Sequence, residues 1–258
     1  MNVNQLENKG YTVININSDI IDCLKKDILK ILFKKILNKN VSIKNNNLNK
    51  NFIELNKHIN SLNQSTFLKK FGDVSLRYCS FKTGNIFNKW IKKEVKKKLK
   101  HKYYSLPYPM KYQLKENKNL KKNQHCIYFR CVRSNKKDVG NIHRDIDFWN
   151  IEKPIIPNSV KNFNKVYKIW IPVFGCNSKN SLKVLENSQN YNFDIKYKKN
   201  KFLKPIIKKK EANKFKKITP IKQFNNQAMV FDYSTAHFAP INKNKYYRIS
   251  AEFTLICK

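Results

Sequence analysis

The first half of the chain has the hydrophobic spacing of helices. Residues 10–16 alternate between apolar and polar positions, as a short strand does. Beyond them, apolar residues recur every three or four positions in three segments, which indicates amphipathic helices. The predicted helices span residues 20–37, 52–71 and 86–100, and a loop rich in lysine and asparagine is expected at residues 38–51. Helical structure is therefore expected mainly within residues 1–120.

The second half changes to short β-prone runs. Predicted strands lie at residues 126–133, 166–174, 181–185, 227–232 and 246–256. The lysine-dense stretch at residues 196–217 is expected to be a surface excursion. Helices followed by strands favour an α+β fold in which helices buttress an antiparallel sheet. We expect a single domain over residues 1–258, with its β core at about residues 125–258.

The charge of the chain is extreme, with a formal net charge of +37 at pH 7. Such a charge often indicates a nucleic acid or another anionic partner. Only five of the 54 basic residues are arginine, and the lysines are spread along the whole chain. Dedicated readers of nucleic acid tend to use arginine, and A/T-rich codons account for much of the lysine and asparagine. A nucleic-acid partner is possible but not favoured.

The six cysteines are scattered and form no Cys-x-x-Cys pair, which argues against a zinc ribbon and against a disulfide scaffold. We expect reduced thiols in a cytoplasmic protein. The chain has no run of 18 or more apolar residues, so no membrane span is expected, and its first residues lack the pattern of a secretion signal. The sequence gives no indication of the oligomeric state.

Two histidines and a carboxylate form the first candidate site. His143 and Asp145 stand two positions apart, so an extended strand would present both side chains on one face. His237 comes much later, just after the apolar run at residues 228–231. Two histidines and one carboxylate make the facial triad that holds non-haem Fe(II) and leaves coordination positions open. The pattern predicts an iron site.

An arginine that follows the second histidine is a candidate for binding an anion. Arg248 lies beyond a probable turn at residues 242–244, inside a mostly apolar segment, and buried arginine normally has an anionic partner. Its guanidinium is suited to grip the far carboxylate of a small diacid bound to the metal. Ser250, two positions on, is placed to share that carboxylate through its hydroxyl.

A competing motif covers the same residues. Residues 143–150 read His-Arg-Asp-Ile-Asp-Phe-Trp-Asn and match the catalytic loop of protein kinases, H-R-D-x-x-x-x-N. In a kinase, Asp145 would orient the substrate hydroxyl and Asn150 would bind magnesium. The chain has five glycines and no G-x-G-x-x-G loop, and neither Asp-Phe-Gly nor Ala-Pro-Glu follows. The kinase interpretation is therefore disfavoured.

Further segments resemble a known family. The residues Gly-Tyr-Thr-Val-Ile at 10–14, before a helix, are similar to the opening of the Fe(II)- and 2-oxoglutarate-dependent dioxygenases of the phytanoyl-CoA dioxygenase-like branch. Trp-Ile-Pro-Val at 170–173 is similar to the central strand of that family. Residues 181–189 look like its s-L-x-V-x-P-G-S-H segment, except that Glu186 and Asn187 replace Pro-Gly and Gln189 replaces the histidine.

The resemblance implies a double-stranded β-helix, a jelly-roll or cupin-like core, with Fe(II) held by His143, Asp145 and His237. It implies that 2-oxoglutarate chelates the iron and forms a salt bridge with Arg248, and that O2 takes a remaining position. The implied reaction hydroxylates a small or carrier-bound metabolite and releases succinate and CO2. Glu186, Asn187 and Gln189 stand at positions that the resemblance places at the pocket rim, away from the iron ligands.

Alternation along the strands adds further candidates. Tyr128 and Arg130 share one face of their strand, and an inward Tyr128 would bring its hydroxyl to the 2-oxoglutarate. Arg130, Asp147, Trp149 and Trp170 are candidates for the substrate pocket. Two alternative functions stay open, namely the same chemistry on a nucleic acid, and a β-barrel that holds a metal or an anion without turnover.

Overall fold

The computed structural model describes residues 2–96, 103–105, 127–152, 162–199 and 203–257. Its helices are α1 Val3–Lys9, α2 Ser18–Leu37, α3 Leu48–Ser61, α4 Gln64–Phe71, α5 Phe81–Lys96, α6 Asp145–Glu152 and α7 Lys209–Ala212. Short 3-10 helices span Asn45–Asn47 and Val74–Arg77. The strands are β1 Tyr11–Asn15, β2 Tyr103–Ser105, β3 Tyr128–Val132, β4 Lys165–Phe174, β5 Lys183–Leu185, β6 Ile195–Lys199, β7 Leu203–Ile207, β8 Lys217–Ile218, β9 Gln227–Asp232, β10 His237–Phe238 and β11 Arg248–Cys257.

Six strands form the main sheet, in the order β1-β9-β4-β11-β2, with β3 also paired to β11. Its pairings are antiparallel, and β4 with β11 makes the longest one. A three-stranded sheet, β10-β5-β8, and the β6-β7 hairpin complete the described strands. The expected combination of helices with an antiparallel sheet is confirmed.

The outer face of the main sheet packs against the helices. Alternate residues of the strands, such as Ile169 and Phe253, share one hydrophobic cluster with the apolar stripe of α2. Asn17 begins that helix, because its side-chain oxygen accepts a hydrogen bond from the backbone N–H of Asp19. Asn38 ends it in the left-handed conformation, with φ 53°. The helices therefore form a layer that covers the outer face of the main sheet.

The inner face of the main sheet meets the small sheet. Trp170, Met229 and Phe231 from the main sheet share a buried cluster with Val184 of β5. The two sheets therefore lie face to face at this cluster. Because side chains alternate along a strand, the residues of β3 and β11 that share this face point into the same interior.

The predicted helix over residues 52–71 is wrong in its continuity, since the structure has two helices. Leu62 interrupts it, and the side chain of Asn63 caps α4 by accepting from the N–H of Thr66. The Leu62 carbonyl accepts a hydrogen bond of 2.5 Å from Arg133. The predicted loop at residues 38–51 is also too long, since α3 begins at Leu48. Residues 97–100 of the third predicted helix lie outside the described residues.

The stretch at residues 196–217 is more than the expected surface excursion. It forms most of a hairpin, a short helix and strand β8. Ile207 and Ala212 are buried in a cluster with Leu185. The backbone N–H of Ile207 donates to the Ile142 carbonyl, directly before His143. Lysines such as Lys204 and Lys210 are exposed, but the apolar residues Ile207 and Ala212 pack beside the candidate site.

Two smaller expectations concern the thiols and membrane insertion. The five described cysteines are all free thiols, and three of them are buried. Within the described ranges, no helix has the length and apolar character needed to cross a lipid bilayer.

Candidate metal centre

The two histidines and the aspartate of the candidate triad come together in the structure. Asp145 Oδ1 lies 4.0 Å from His143 Nε2 and 3.9 Å from His237 Nε2. A β-bridge joins the histidines, so two distant parts of the chain fix the spacing. The expectation that His143 and Asp145 share an extended strand is wrong, because Asp145 opens helix α6. The turn into that helix brings the carboxylate to the two rings.

Both imidazoles are oriented by their second nitrogen. His143 Nδ1 lies 2.6 Å from the Asn141 carbonyl, and His237 Nδ1 lies 3.0 Å from the Thr235 carbonyl. A carbonyl only accepts hydrogen bonds, so each Nδ1 carries the proton. In the neutral form of each ring the lone pair is therefore on Nε2, the nitrogen that faces Asp145. A carbonyl behind each ligand is the usual arrangement around metal-binding histidines.

The surroundings favour the protonation states that a metal needs. Burial, followed by the nearby His237, lowers the pKa of His143 to about 4, so this imidazole is neutral at pH 7. Burial alone would raise the pKa of Asp145, but the ammonium of Lys168 and the two imidazoles outweigh it and the net shift is downward. A neutral imidazole and an ionised carboxylate are the forms that coordinate metals.

Beside the triad, the inner face of β11 presents Arg248 and Ser250. Arg248 is buried, and its Nη1 donates to the Asn180 carbonyl. Three buried polar atoms in this part of the fold have no hydrogen-bond partner among the described residues: Arg248 Nε, Ser250 Oγ and Ser181 Oγ. A buried polar group without a partner costs about 1–3 kcal/mol. These atoms fit an anionic ligand that would satisfy them.

Tyr128 and Arg130 lie on the inner face of β3, in register with Glu252 and Ser250 of β11. The Tyr128 hydroxyl donates to Glu252 Oε2 at 2.5 Å and accepts from Lys168 Nζ at 3.2 Å. Arg130 Nε lies 3.6 Å from Glu252 Oε1. The suggested bond from Tyr128 to 2-oxoglutarate therefore competes with an existing acceptor, and it stays a prediction.

The other pocket candidates differ in their surroundings. Asp147 is buried and forms an ion pair of 2.7 Å with Arg144. Trp149 packs edge to face on Tyr233, with ring centroids 5.5 Å apart. Both residues thus have structural partners, and a substrate role for them stays a prediction. Trp170 lies on the inner face, in register with Glu252, and lines the interior between the sheets.

The sequence did not indicate two of the functional candidates, Lys168 and Glu252. Lys168 is buried, and its Nζ lies 3.7 Å from Asp145 Oδ2. The available signal was alternation, because Lys168 stands two positions before Trp170 and Glu252 two positions after Ser250. In a chain with so many solvated lysines, residue type alone gave no reason to place Lys168 inside.

No protein-family model matches the sequence, and no curated protein matches it significantly. Solved structures match its fold. AviO1 from Streptomyces viridochromogenes Tue57 is 9% identical, with 98% of this chain and 92% of that chain covered and a TM-score of 0.56. EctD from S. alaskensis with bound Fe is 10% identical, with 98% and 74% covered and a TM-score of 0.56. EctD with 2-oxoglutarate and 5-hydroxyectoine is 13% identical, with the same coverage and a TM-score of 0.51. At these identities the likeness shows a shared fold.

Proposed function

We propose that this protein is an Fe(II)- and 2-oxoglutarate-dependent oxygenase that hydroxylates a small or carrier-bound metabolite. The observation that carries the proposal is the convergence of His143 Nε2, His237 Nε2 and the Asp145 carboxylate within 4.8 Å of one another. A structural neighbour, EctD, has been solved with Fe and with 2-oxoglutarate, which supports the same ligands here. The fold we propose is a double-stranded β-helix of the phytanoyl-CoA dioxygenase-like type.

The donor set fits iron. Two imidazoles and one carboxylate suit a non-haem Fe(II) ion and leave other positions of an octahedral ion open. Asp145 Oδ2 is buried without a hydrogen-bond partner among the described residues, and the Lys168 ammonium lies 3.7 Å away, beyond hydrogen-bond distance, so this oxygen keeps its lone pairs for a metal. When bound, iron and 2-oxoglutarate supply the oxidising chemistry, in which O2 and the keto acid yield succinate, CO2 and a hydroxylated substrate.

Each chain residue has a defined task in this proposal. The Asn141 and Thr235 carbonyls hold both rings in the tautomer that presents Nε2. The unpaired atoms of Arg248, Ser250 and Ser181 would bind the distal carboxylate of 2-oxoglutarate, and the charge of an arginine is available at any working pH.

Apolar side chains shield the site. Phe231 packs on the His237 ring, with centroids 4.8 Å apart. Trp170 and Met229 are buried in the same cluster as Phe231. They form an apolar surface next to His237, and electrostatic interactions are stronger beside such a surface than in water.

Two positions that depart from the family segment have another use here. Glu186 accepts a hydrogen bond from the Tyr11 hydroxyl and forms an ion pair of 3.1 Å with Lys9. The Gln189 side chain donates to the Glu7 and Asn8 carbonyls. Both side chains therefore fasten the N-terminal helix to the small sheet, and neither touches the triad.

The test is turnover of 2-oxoglutarate. The purified protein is given Fe(II), O2 and 2-oxoglutarate, and succinate is measured with and without pooled candidate metabolites. We expect metal-dependent succinate release that a true substrate stimulates. Retained iron binding with no succinate under any condition would instead favour the non-catalytic barrel. A protein with no affinity for iron or for 2-oxoglutarate would refute the proposal.

A nucleic-acid substrate is the second candidate, and the net charge of +37 is the observation in its favour. Binding that depends only on exposed lysines weakens steeply as salt rises. We expect polynucleotide binding to disappear near physiological salt without any stimulation of succinate release. Sequence-selective binding that stimulates succinate release at physiological salt would make nucleic acid the substrate.

A further inference from the structure

Four polar side chains stand together on the inner face of the main sheet, next to the candidate metal centre: Tyr128, Arg130, Lys168 and Glu252. The strand register places Tyr128 opposite Glu252 and Arg130 opposite Ser250. Lys168 reaches the group from β4, and its Nζ also lies 3.7 Å from Asp145 Oδ2. Lys168 therefore connects this cluster to the candidate metal centre.

Three members of the cluster hold one another. The Tyr128 hydroxyl donates to Glu252 at 2.5 Å, and Lys168 donates to the Tyr128 oxygen at 3.2 Å. Lys168 is almost fully buried, with 6% of its side chain exposed. Its position is fixed by Tyr128 on one side and Asp145 on the other.

Arg130 is the exception. Its Nε lies 3.6 Å from Glu252 Oε1, beyond hydrogen-bond distance, and within the described ranges its two Nη groups have no hydrogen-bond partner. Its side chain keeps 33% exposure although it projects from the inner face of the sheet, so part of the guanidinium is accessible to a ligand. A guanidinium fork with both Nη groups free matches the planar, two-point geometry of a carboxylate or a phosphate.

The charges around Arg130 also favour an anionic ligand. The two cations of Arg130 and Lys168 balance the two carboxylates of Glu252 and Asp145. Glu252 already accepts from Tyr128, so it satisfies Arg130 only in part. A divalent metal held by Asp145 adds positive charge to the cluster, and Arg77, whose guanidinium lies 6.0 Å from the centre of the Tyr128 ring, adds more. An anion is the ligand that this field favours.

We propose that Arg130 binds an anionic group of the substrate, a carboxylate or a phosphate, and thereby holds the substrate beside the metal. The inference rests on the proposed oxygenase function and narrows its substrates to small acids or phosphorylated metabolites. In this proposal Arg248 binds the distal carboxylate of 2-oxoglutarate. The two arginines therefore bind different anions on the inner face of the main sheet.

Relaxation of phosphate by a paramagnetic metal tests the proposal without turnover. The protein is loaded with Mn(II) and saturated with 2-oxoglutarate, and the ³¹P relaxation of added inorganic phosphate is measured. We expect enhanced relaxation in the wild-type protein and at least a ~10-fold weaker phosphate affinity in Arg130→Gln, because hydrogen bonds to charged groups are lost. Lys204→Gln removes one charge from an exposed position of β7 and should change nothing. Circular dichroism checks the fold of both variants.

The possible outcomes separate cleanly. Equal enhancement in Arg130→Gln and wild type would overturn the proposal, because the phosphate would then bind the metal or surface lysines. Acetate is the second probe, and the anion that displaces the other at lower concentration identifies the group that the site prefers. If Mn(II) does not bind, the proposed function fails on its own. Calorimetric titration of the metal-free protein with phosphate then still tests Arg130, and equal affinities in wild type and Arg130→Gln would overturn its role.

Discussion

The backbones of His143 and His237 hold each other through two hydrogen bonds, one of 3.2 Å from His143 N to the His237 carbonyl and one of 2.9 Å in the opposite direction. This pair fixes the distance between the two rings before any metal arrives, since their centroids already lie 4.5 Å apart. A site with its ligands in place loses little conformational entropy when it binds a metal. The histidine pair is therefore the element on which the iron proposal depends.

Asp145→Ala should abolish metal binding and leave the fold intact. The carboxylate is the only anionic ligand of the triad, so we expect Fe(II) affinity to fall more than ~100-fold, above the 10–100-fold typical of outer-shell partners. His143→Ala should behave in the same way. Calorimetric titration with Fe(II) under anaerobic conditions measures the affinity.

The matched control is His58→Ala, which removes an exposed histidine of α3. It should bind iron as the wild-type protein does. If Asp145→Ala also binds iron normally, the metal lies elsewhere and the triad is wrong.

Arg248→Ala should raise the 2-oxoglutarate requirement. The variant loses charge-assisted hydrogen bonds worth about 1.5–3 kcal/mol, or roughly 10- to 150-fold in affinity. The concentration of 2-oxoglutarate at half-maximal succinate release gives the shift, and iron affinity should stay unchanged. Arg130→Gln is the control, because it also removes a guanidinium from the inner face of the main sheet. An unchanged requirement in Arg248→Ala, or an equal rise in Arg130→Gln, would show that Arg248 does not anchor the keto acid.

Much of this site was readable from the sequence because residue type, spacing and alternation agreed. His143, Asp145 and His237 belong to types that few functions combine, and the apolar context of Arg248 indicated burial. Lys168 and Glu252 were not readable, since their positions depend on how three strands align. The unpaired Ser181 hydroxyl becomes visible only when its neighbours are in place.

The helices show the same limit of prediction from the sequence. The spacing of apolar residues predicted α2 over nearly its full length, because α2 packs one continuous stripe against the core. It missed the break at Leu62, where Asn63 caps α4 and an arginine far along the chain binds the Leu62 carbonyl. Arg133 reaches back to the Leu62 carbonyl and to Gln64, and no local pattern encodes that contact.

Arg133→Ala should destabilise the fold strongly. Arg133 and Asp138 form a pair of 2.7 Å, with only 1% and 0% of their side chains exposed. Removing one partner leaves a buried charge uncompensated, which costs about 3–5 kcal/mol. Urea unfolding gives the loss. Asp22→Ala breaks a partly exposed pair of 3.9 Å with Lys25 and should cost much less, as such pairs contribute ~0–1 kcal/mol. Similar losses in the two variants would contradict the account.

The contribution of Lys35 to stability should rise with pH. Burial, with help from the charges of Arg77 and Lys70, lowers the pKa of Lys35 from 10.5 to about 8 in the folded protein. Between those two values the Lys35 side chain holds a proton in the unfolded chain that it has released in the folded protein, so its contribution to the free energy of unfolding increases with pH. Urea unfolding from pH 7.5 to 10 measures the slope.

Lys35→Met should reduce that slope, whereas Lys34→Met, at an exposed position of the same helix, should keep it. Equal slopes in the two variants would show that the amino group of Lys35 is not the one that titrates.

The most direct measurement is a crystal structure of the protein with Fe(II) and 2-oxoglutarate, solved under anaerobic conditions with anomalous data at the iron edge. The account predicts one iron bound to His143 Nε2, His237 Nε2 and the Asp145 carboxylate, with the keto acid extending from the metal to Arg248. Iron bound away from these three side chains, or a keto acid that does not contact Arg248, would contradict it.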